Sequence, residues 1–216
     1  MPERYPGYDV LAKRGTPSWN DKTRAVIDER LRIDPHAHSG LDDALWRTLL
    51  AVCDRIAPQQ PDRPAIPVAA MIDQMICAKA TEGYRHVRLP PLDEAWRRGL
   101  AAIDAEAQAR HGQRFHALGA GAQDGLLAAV EKGYAADPAW GDMPPALFFA
   151  KRVLHDILGA YYAHPTAWSE IGFGGPAAPR GYVRLGPDQR DPWEAVEAKP
   201  GHEAEARRGN AHVGRV

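Results

Sequence analysis

Cysteine is scarce in this sequence, with two among 216 residues, Cys53 and Cys77. No Cys-x-x-Cys pair occurs, which removes the usual frames for covalent haem, an iron–sulfur cluster or a cysteine zinc site. Both thiols lie in apolar helical patterns and read as small core residues rather than disulfide partners. Serine is confined to Ser18, Ser39 and Ser169, none in a Gly-x-Ser-x-Gly setting, so the common serine-nucleophile elbow is missing. An excess of one charge is missing too. Lys and Arg number 27 against 28 Asp and Glu, for a net charge of −1. That balance argues against nucleic acid or an anionic membrane as the main partner. No apolar run reaches the ~18–20 residues of a spanning helix. The opening MPERYPGYDV has neither a basic stretch leading into an apolar run nor a twin arginine. The expected location is therefore cytoplasmic, or periplasmic if the chain is exported with a partner.

Hydrophobic residues make up 44% and charged residues 25%, ordinary for a globular domain. Their spacing is that of helices. Apolar side chains three and four apart predict a helix from Trp19 to Leu31, then one from Leu41 that Pro58 stops. In the second, Leu45, Leu49, Val52, Cys53 and Ile56 face inward, and Asp42 and Asp43 suit the positive end of the helix dipole. Pro67 opens a third helix through Met71, Ile72, Met75 and Ile76. Pro91 opens the longest, with Leu92, Trp96, Leu100, Ile103 and Ala107 inward and Gly112 just past its end. A shorter helix covers Gln123–Lys132.

The sixth helix, from Pro144, is the one expected to organise the rest. Leu147, Ala150, Leu154, Leu158 and Tyr161 form one apolar row, widened by Phe149, Val153, Ile157 and Tyr162. Lys151, Arg152, His155, Asp156 and Gly159 form a narrow polar strip. Outside these helices only Tyr182–Leu185 could run extended. An all-α protein follows, a compact bundle of about six helices with extended N-terminal and C-terminal arms. The expected organisation is an N-terminal arm over residues 1–19, a helical domain over 20–163, a C-terminal arm over 164–198 and a mobile tail over 199–216.

Both arms carry aromatics without an evident core of their own. The residues expected at a partner interface are Tyr5, Tyr8, Tyr161, Tyr162, His164, Trp168, Phe173, Arg180 and Tyr182, with Arg4 and Arg184 as further charged contacts. Burial against a partner and wrapping back over this chain both remain open at this point. Gly172-Phe173-Gly174-Gly175-Pro176-Ala177 matches the G-x-G-x-x-A spacing of dinucleotide sites, but a helix rather than a strand precedes it and Pro176 and Pro179 follow. Glycines needed for close approach and positive φ explain it better. His36, His38, His155 and His164 are candidate metal ligands, without the spacing of a known zinc motif.

From Leu41 to Leu185 the sequence resembles the small subunit, subunit 3, of gluconate 2-dehydrogenase-type sugar dehydrogenases. The residues that carry the likeness are LLAVCDRIAP at 49–58, IPVAAMID at 66–73, LAAIDAEAQARHGQRFHAL at 100–118, AQDGLLAAVE at 122–131, and the arm HPTAWSEIGFGGP at 164–176. The resemblance implies a non-catalytic companion that stabilises and matures a GMC-type flavoprotein. FAD would lie in that partner and no cofactor in this chain, and the pair would oxidise a sugar, polyol or sugar acid. It assigns no catalytic residue here. Two other readings remain: a small metal-dependent helical enzyme using the four histidines, and a self-contained helical oligomer.

Overall fold

Helix α4, Leu92–His111, carries the larger part of the molecule. The computed structural model describes residues 3–61, 63–81, 83–176, 187 and 194–213. The helices are α1 Asp21–Leu31, α2 Asp43–Ile56, α3 Val68–Cys77, α4, α5 Ala120–Glu131, α6 Pro145–Phe148, α7 His155–Ala163, α8 Pro165–Ile171 and α9 Glu203–Asn210. A π-helical segment, Phe149–Leu154, joins α6 to α7. The protein is all-α, and no strand occurs among the described residues.

Residues 34–161 form one compact unit. Its core is the inward face of α4, where Ala95, Trp96, Leu100, Ala102, Ile103 and Ala107 are fully buried. Helices α2, α3, α5 and α6 and the π segment all pack on α4. The hub is thus α4, and the helix from Pro144, expected to be central, is one of its neighbours. Two carboxylates of α4 point inward and tie down the chain around it. Glu106 Oε1 accepts from the Asp137 amide at 2.7 Å and the Trp140 indole at 3.3 Å. Asp104 Oδ1 accepts from Thr48 Oγ1 and from the Phe115 amide. Asp42 is the N-cap of α2 and accepts from the amides of Ala44 and Leu45, satisfying donors that the first turn leaves free. On α3, the buried Asp73 accepts from the amides of Ser39 and Gly40 at 2.7 and 2.9 Å, fixing the Pro/Gly break before α2.

Residues 1–33 and 162–216 supply a second unit, and the boundary falls between Tyr161 and Tyr162, inside α7. Tyr8, Val10, Trp19, Ile27, Trp168, Ala195 and Val213 make one buried cluster there, with Tyr5 and Leu11 against it. The segments expected as arms meet here. The two arms are not lone extensions: each covers the other's aromatics, and α1 belongs with them rather than with the helical body. The expected tail forms α9, whose Ala206 and Asn210 are buried. The Asn210 side chain accepts from the Val196 amide at 2.7 Å and donates to the carbonyls of Pro6 and Val196, both at 3.0 Å. A side-chain amide with all three partners is a fixed joint.

Both cysteines are free thiols. Cys53 is buried, and that burial pushes its thiol well above the usual range. Cys77 is exposed at the end of α3, which corrects its reading as core filler.

Candidate functional site

In the larger unit the polar interior centres on the π segment. Arg152 and Asp156, two members of the narrow polar strip, are both buried, while Ala150 and Leu158 face outward. A π turn carries more residues per turn than an α turn, so it shifts which side chains meet the core, and such turns recur at functional positions. Phe149, Val153 and Ile157 remain the apolar row against the core. Between them Asp156 accepts from Arg152 Nη1 at 3.3 and 3.1 Å and from the Trp96 indole at 2.8 Å. His155 Nδ1 lies 3.0 Å from Asp156 Oδ1. A carboxylate only accepts, so Nδ1 carries the proton. Both Asp156 oxygens are thereby occupied, and a carboxylate so engaged positions its neighbours rather than serving as a general base.

Arg152 reaches the wall of a cavity of about 550 Å³. Lys79, Tyr84 and Arg85 line it on the side of the loop after α3, and Asp93 and Glu94 on the side of the first turn of α4. Lys79 holds φ at +48°, the one non-glycine in the left-handed region among the described residues. Glu94 is engaged with Arg98 at 3.4 Å.

In the smaller unit the site is the set of expected interface residues. Trp168 is buried, and its indole donates to the Tyr162 carbonyl at 2.6 Å. Phe173 stands edge-on to the Trp168 ring at 5.8 Å and is 42% exposed. Gly172 ends α8 at φ +68°, and a Cβ there would meet the Tyr5 ring at 2.6 Å. Gly175, also at φ +68°, lets Trp168 and Trp19 approach to 3.2 and 3.3 Å of where a Cβ would sit. The glycines of the G-x-G-x-x-A match therefore serve positive φ and close packing, and Ala177 lies outside the described residues. Lys13, itself buried, donates to the Gly174 carbonyl at 2.6 Å.

His164 is buried and caps α8: its Nδ1 accepts from the Thr166 amide at 3.3 Å, with Pro165 in the first turn. Burial first, and nearby Arg30 second, push its pKa below the usual 6.5. The ring is neutral, as an acceptor must be.

Of the nine expected interface residues, Tyr8, His164 and Trp168 are buried within this chain, Tyr8 and Trp168 in the shared core of the two ends. Tyr5 and Tyr161 are half-buried. Tyr162 and Phe173 are exposed, joined by Ile171 at 46%. Arg180, Tyr182 and Arg184 lie outside the described residues. Arg4 bonds Glu197 at 2.7 Å and sits over the Tyr5 ring. The metal reading finds no centre: among the described residues no three His, Cys, Asp or Glu side chains gather around one point, and the four candidate histidines form no such group. His38 instead stacks on Trp46 at 4.6 Å, and its Nε2 lies 3.1 Å from Asp43, whose hydrogen bond raises the imidazole pKa.

Sequence reasoning missed the Arg152–Asp156–Trp96 network. The available sign was an Arg–Asp pair four residues apart within the narrow polar strip of that helix. No helix of the described residues is long and apolar enough to cross a membrane. Residues 43–175 match the family model described as Gluconate 2-dehydrogenase subunit 3. No curated protein and no solved structure matches the chain.

Proposed function

Because the chain belongs to the gluconate 2-dehydrogenase subunit 3 family, we propose that it is the non-catalytic small subunit of an FAD-dependent dehydrogenase or oxidase complex acting on a sugar, polyol or sugar acid. The catalytic partner is a GMC-type flavoprotein that holds the FAD. This chain binds the partner's folded state and not its unfolded state, and so raises the partner's stability by mass action. The observation that carries the reading is the family match, which runs through the helical unit and on to Gly175.

The surface supports it. Tyr162, Ile171 and Phe173 are all exposed; the Phe173 ring packs edge-on against Trp168, and the Trp168 indole fixes the Tyr162 backbone through its carbonyl. Apolar side chains that stay in water forgo roughly 25 cal/mol per Å² of burial, and a firmly held aromatic group is the usual anchor of an obligate interface.

The test is expression of the flavoprotein with and without this chain, read by solubility, visible flavin absorption and turnover. Alone, the flavoprotein is expected to be insoluble or flavin-poor. Full soluble activity without the small subunit overturns the proposal.

A further inference from the structure

The loop after α3 carries a feature the function above does not use. In the unit of residues 34–161, Val87 and Tyr84 are the most exposed large apolar residues described, at 89% and 82%. They stand three positions apart, interleaved with Arg85, His86 and Arg88. Scattered apolar residues on a surface need no explanation, and a slack loop would show them by default. This turn is not slack. The Leu89 amide donates to the His86 carbonyl at 2.9 Å, and the Arg88 amide donates to His86 Nδ1 at 3.2 Å. The Arg85 guanidinium donates to the Leu89 carbonyl. Leu89 is buried at 2%, and Pro90 and Pro91 lead from it straight into α4. The turn is held by its own hydrogen bonds, anchored by the buried Leu89, and presents its tip outward.

The tip is also net basic. Residues 79–88, KATEGYRHVR, hold Lys79, Arg85 and Arg88 against Glu82, in a chain whose net charge is −1. Tyr and Arg are the residues most enriched at binding hot spots, and a turn held in shape before binding loses little entropy on docking. We infer that the turn Tyr84–Arg88 is a second docking element for the catalytic subunit, seating Tyr84 and Val87 in an apolar recess of that subunit whose rim carries carboxylates. The assignment rests on the accessory-subunit reading and adds to it a contact on the helical unit. The charge of the loop selects the occupant: a second copy of this chain would bring the same basic turn, while an acidic rim complements it.

The test uses the full chain co-expressed with the flavoprotein, and then the purified subunits titrated against each other. The variants are Tyr84→Ser with Val87→Ser, Arg88→Glu, and Tyr134→Ser as a control, since Tyr134 is 72% exposed elsewhere on the same unit. All change exposed side chains, and thermal melting checks that each still folds. The double serine variant is expected to weaken the complex about tenfold or more. Arg88→Glu is expected to weaken it and to flatten its dependence on salt, while Tyr134→Ser leaves it unchanged. Wild-type binding with equal binding by the loop variants overturns this inference and leaves the accessory role standing. Absence of any wild-type complex overturns the accessory role and this inference with it. A homo-oligomer of the chain alone that the loop variants disperse also overturns the inference, because the turn then serves a second copy.

Discussion

Trp96 donates its indole N–H to Asp156 Oδ2 at 2.8 Å, and neither side chain reaches solvent. The bond ties the hub helix to the polar seam of the π segment, and the same carboxylate neutralises Arg152. A buried charge that loses its partner costs far more than the pair itself contributes. Replacing Asp156 by Ala is therefore expected to cost about 3–5 kcal/mol. Trp96→Phe keeps a ring but removes the donor, for about 1–3 kcal/mol. Urea denaturation of both variants and the double variant gives the coupling directly. Simple additivity would show that the two side chains do not act on each other.

Gly99 lies on α4 where the Phe148 ring crosses it. A Cβ built there would stand 2.1 Å from the ring, well inside contact distance. Helix propensity alone favours Gly99→Ala by up to about 1 kcal/mol. Overpacking against a fully buried ring is expected to win, for a net loss of about 1–3 kcal/mol. Phe148→Leu in the same chain gives the methyl room, so the double variant is expected to lose less than the two single costs summed. A melting temperature that rises in Gly99→Ala would show that the ring yields freely.

Apolar spacing gave the all-α class, the starts of α2 and α3 and the extent of α4, because burial of a stripe is a local property of the chain. It could not reveal that α4 rather than the helix from Pro144 would be the hub, since both stripes are wide and the choice depends on which neighbours arrive. It put Arg152 and Asp156 on a polar strip without showing that they are buried, because a 3.6-residue period has no room for a π turn. The largest misreading concerned the ends. Tyr8 and Trp168 are 160 residues apart, and no local pattern says that two core-poor segments will share a core. Of the expected interface, Tyr162 and Phe173 are the members exposed among the described residues.

His164 makes the smaller unit sensitive to acid. Its folded pKa lies below the usual 6.5, so its contribution to stability is complete above that value and is lost as pH falls through the depressed folded pKa. His38 acts in the other direction. Its raised pKa contributes below about 6.5 and is lost as pH rises through the folded value. Asn caps helices well and does not titrate. His164→Asn is therefore expected to match wild type above neutral pH and to keep more of its stability on the acid side. Parallel melting curves for the two proteins down to pH 5 would remove His164 as the source.

Asn210 is the joint that makes a helix of the expected tail. Its amide bridges Pro6 and Val196, residues far apart in sequence. Replacing it by Ala leaves buried backbone groups unpaired, at about 1–3 kcal/mol. Hydrogen exchange is expected to quicken in α8, α9 and the segment around Val10, while α2 and α4 keep their protection. Unchanged exchange around Val10 would mean that the C-terminal helix does not support the smaller unit's core.

Phe173 separates stability from partner binding. It packs edge-on against Trp168 yet is 42% exposed, so Phe173→Ser is expected to cost this chain only about 1 kcal/mol. If Phe173 anchors the flavoprotein, the yield of flavin-loaded complex falls by much more than that modest loss explains. Trp168→Ala is the contrast: the ring is buried, and its removal is expected to cost about 3–5 kcal/mol and to lower yield by unfolding the smaller unit. Melting each small subunit alone and measuring flavin absorbance of each co-expressed pair distinguishes the two routes. A Phe173→Ser chain that folds and still delivers a full yield of flavoprotein would remove this ring from the interface and leave Tyr162 and Ile171 to account for it.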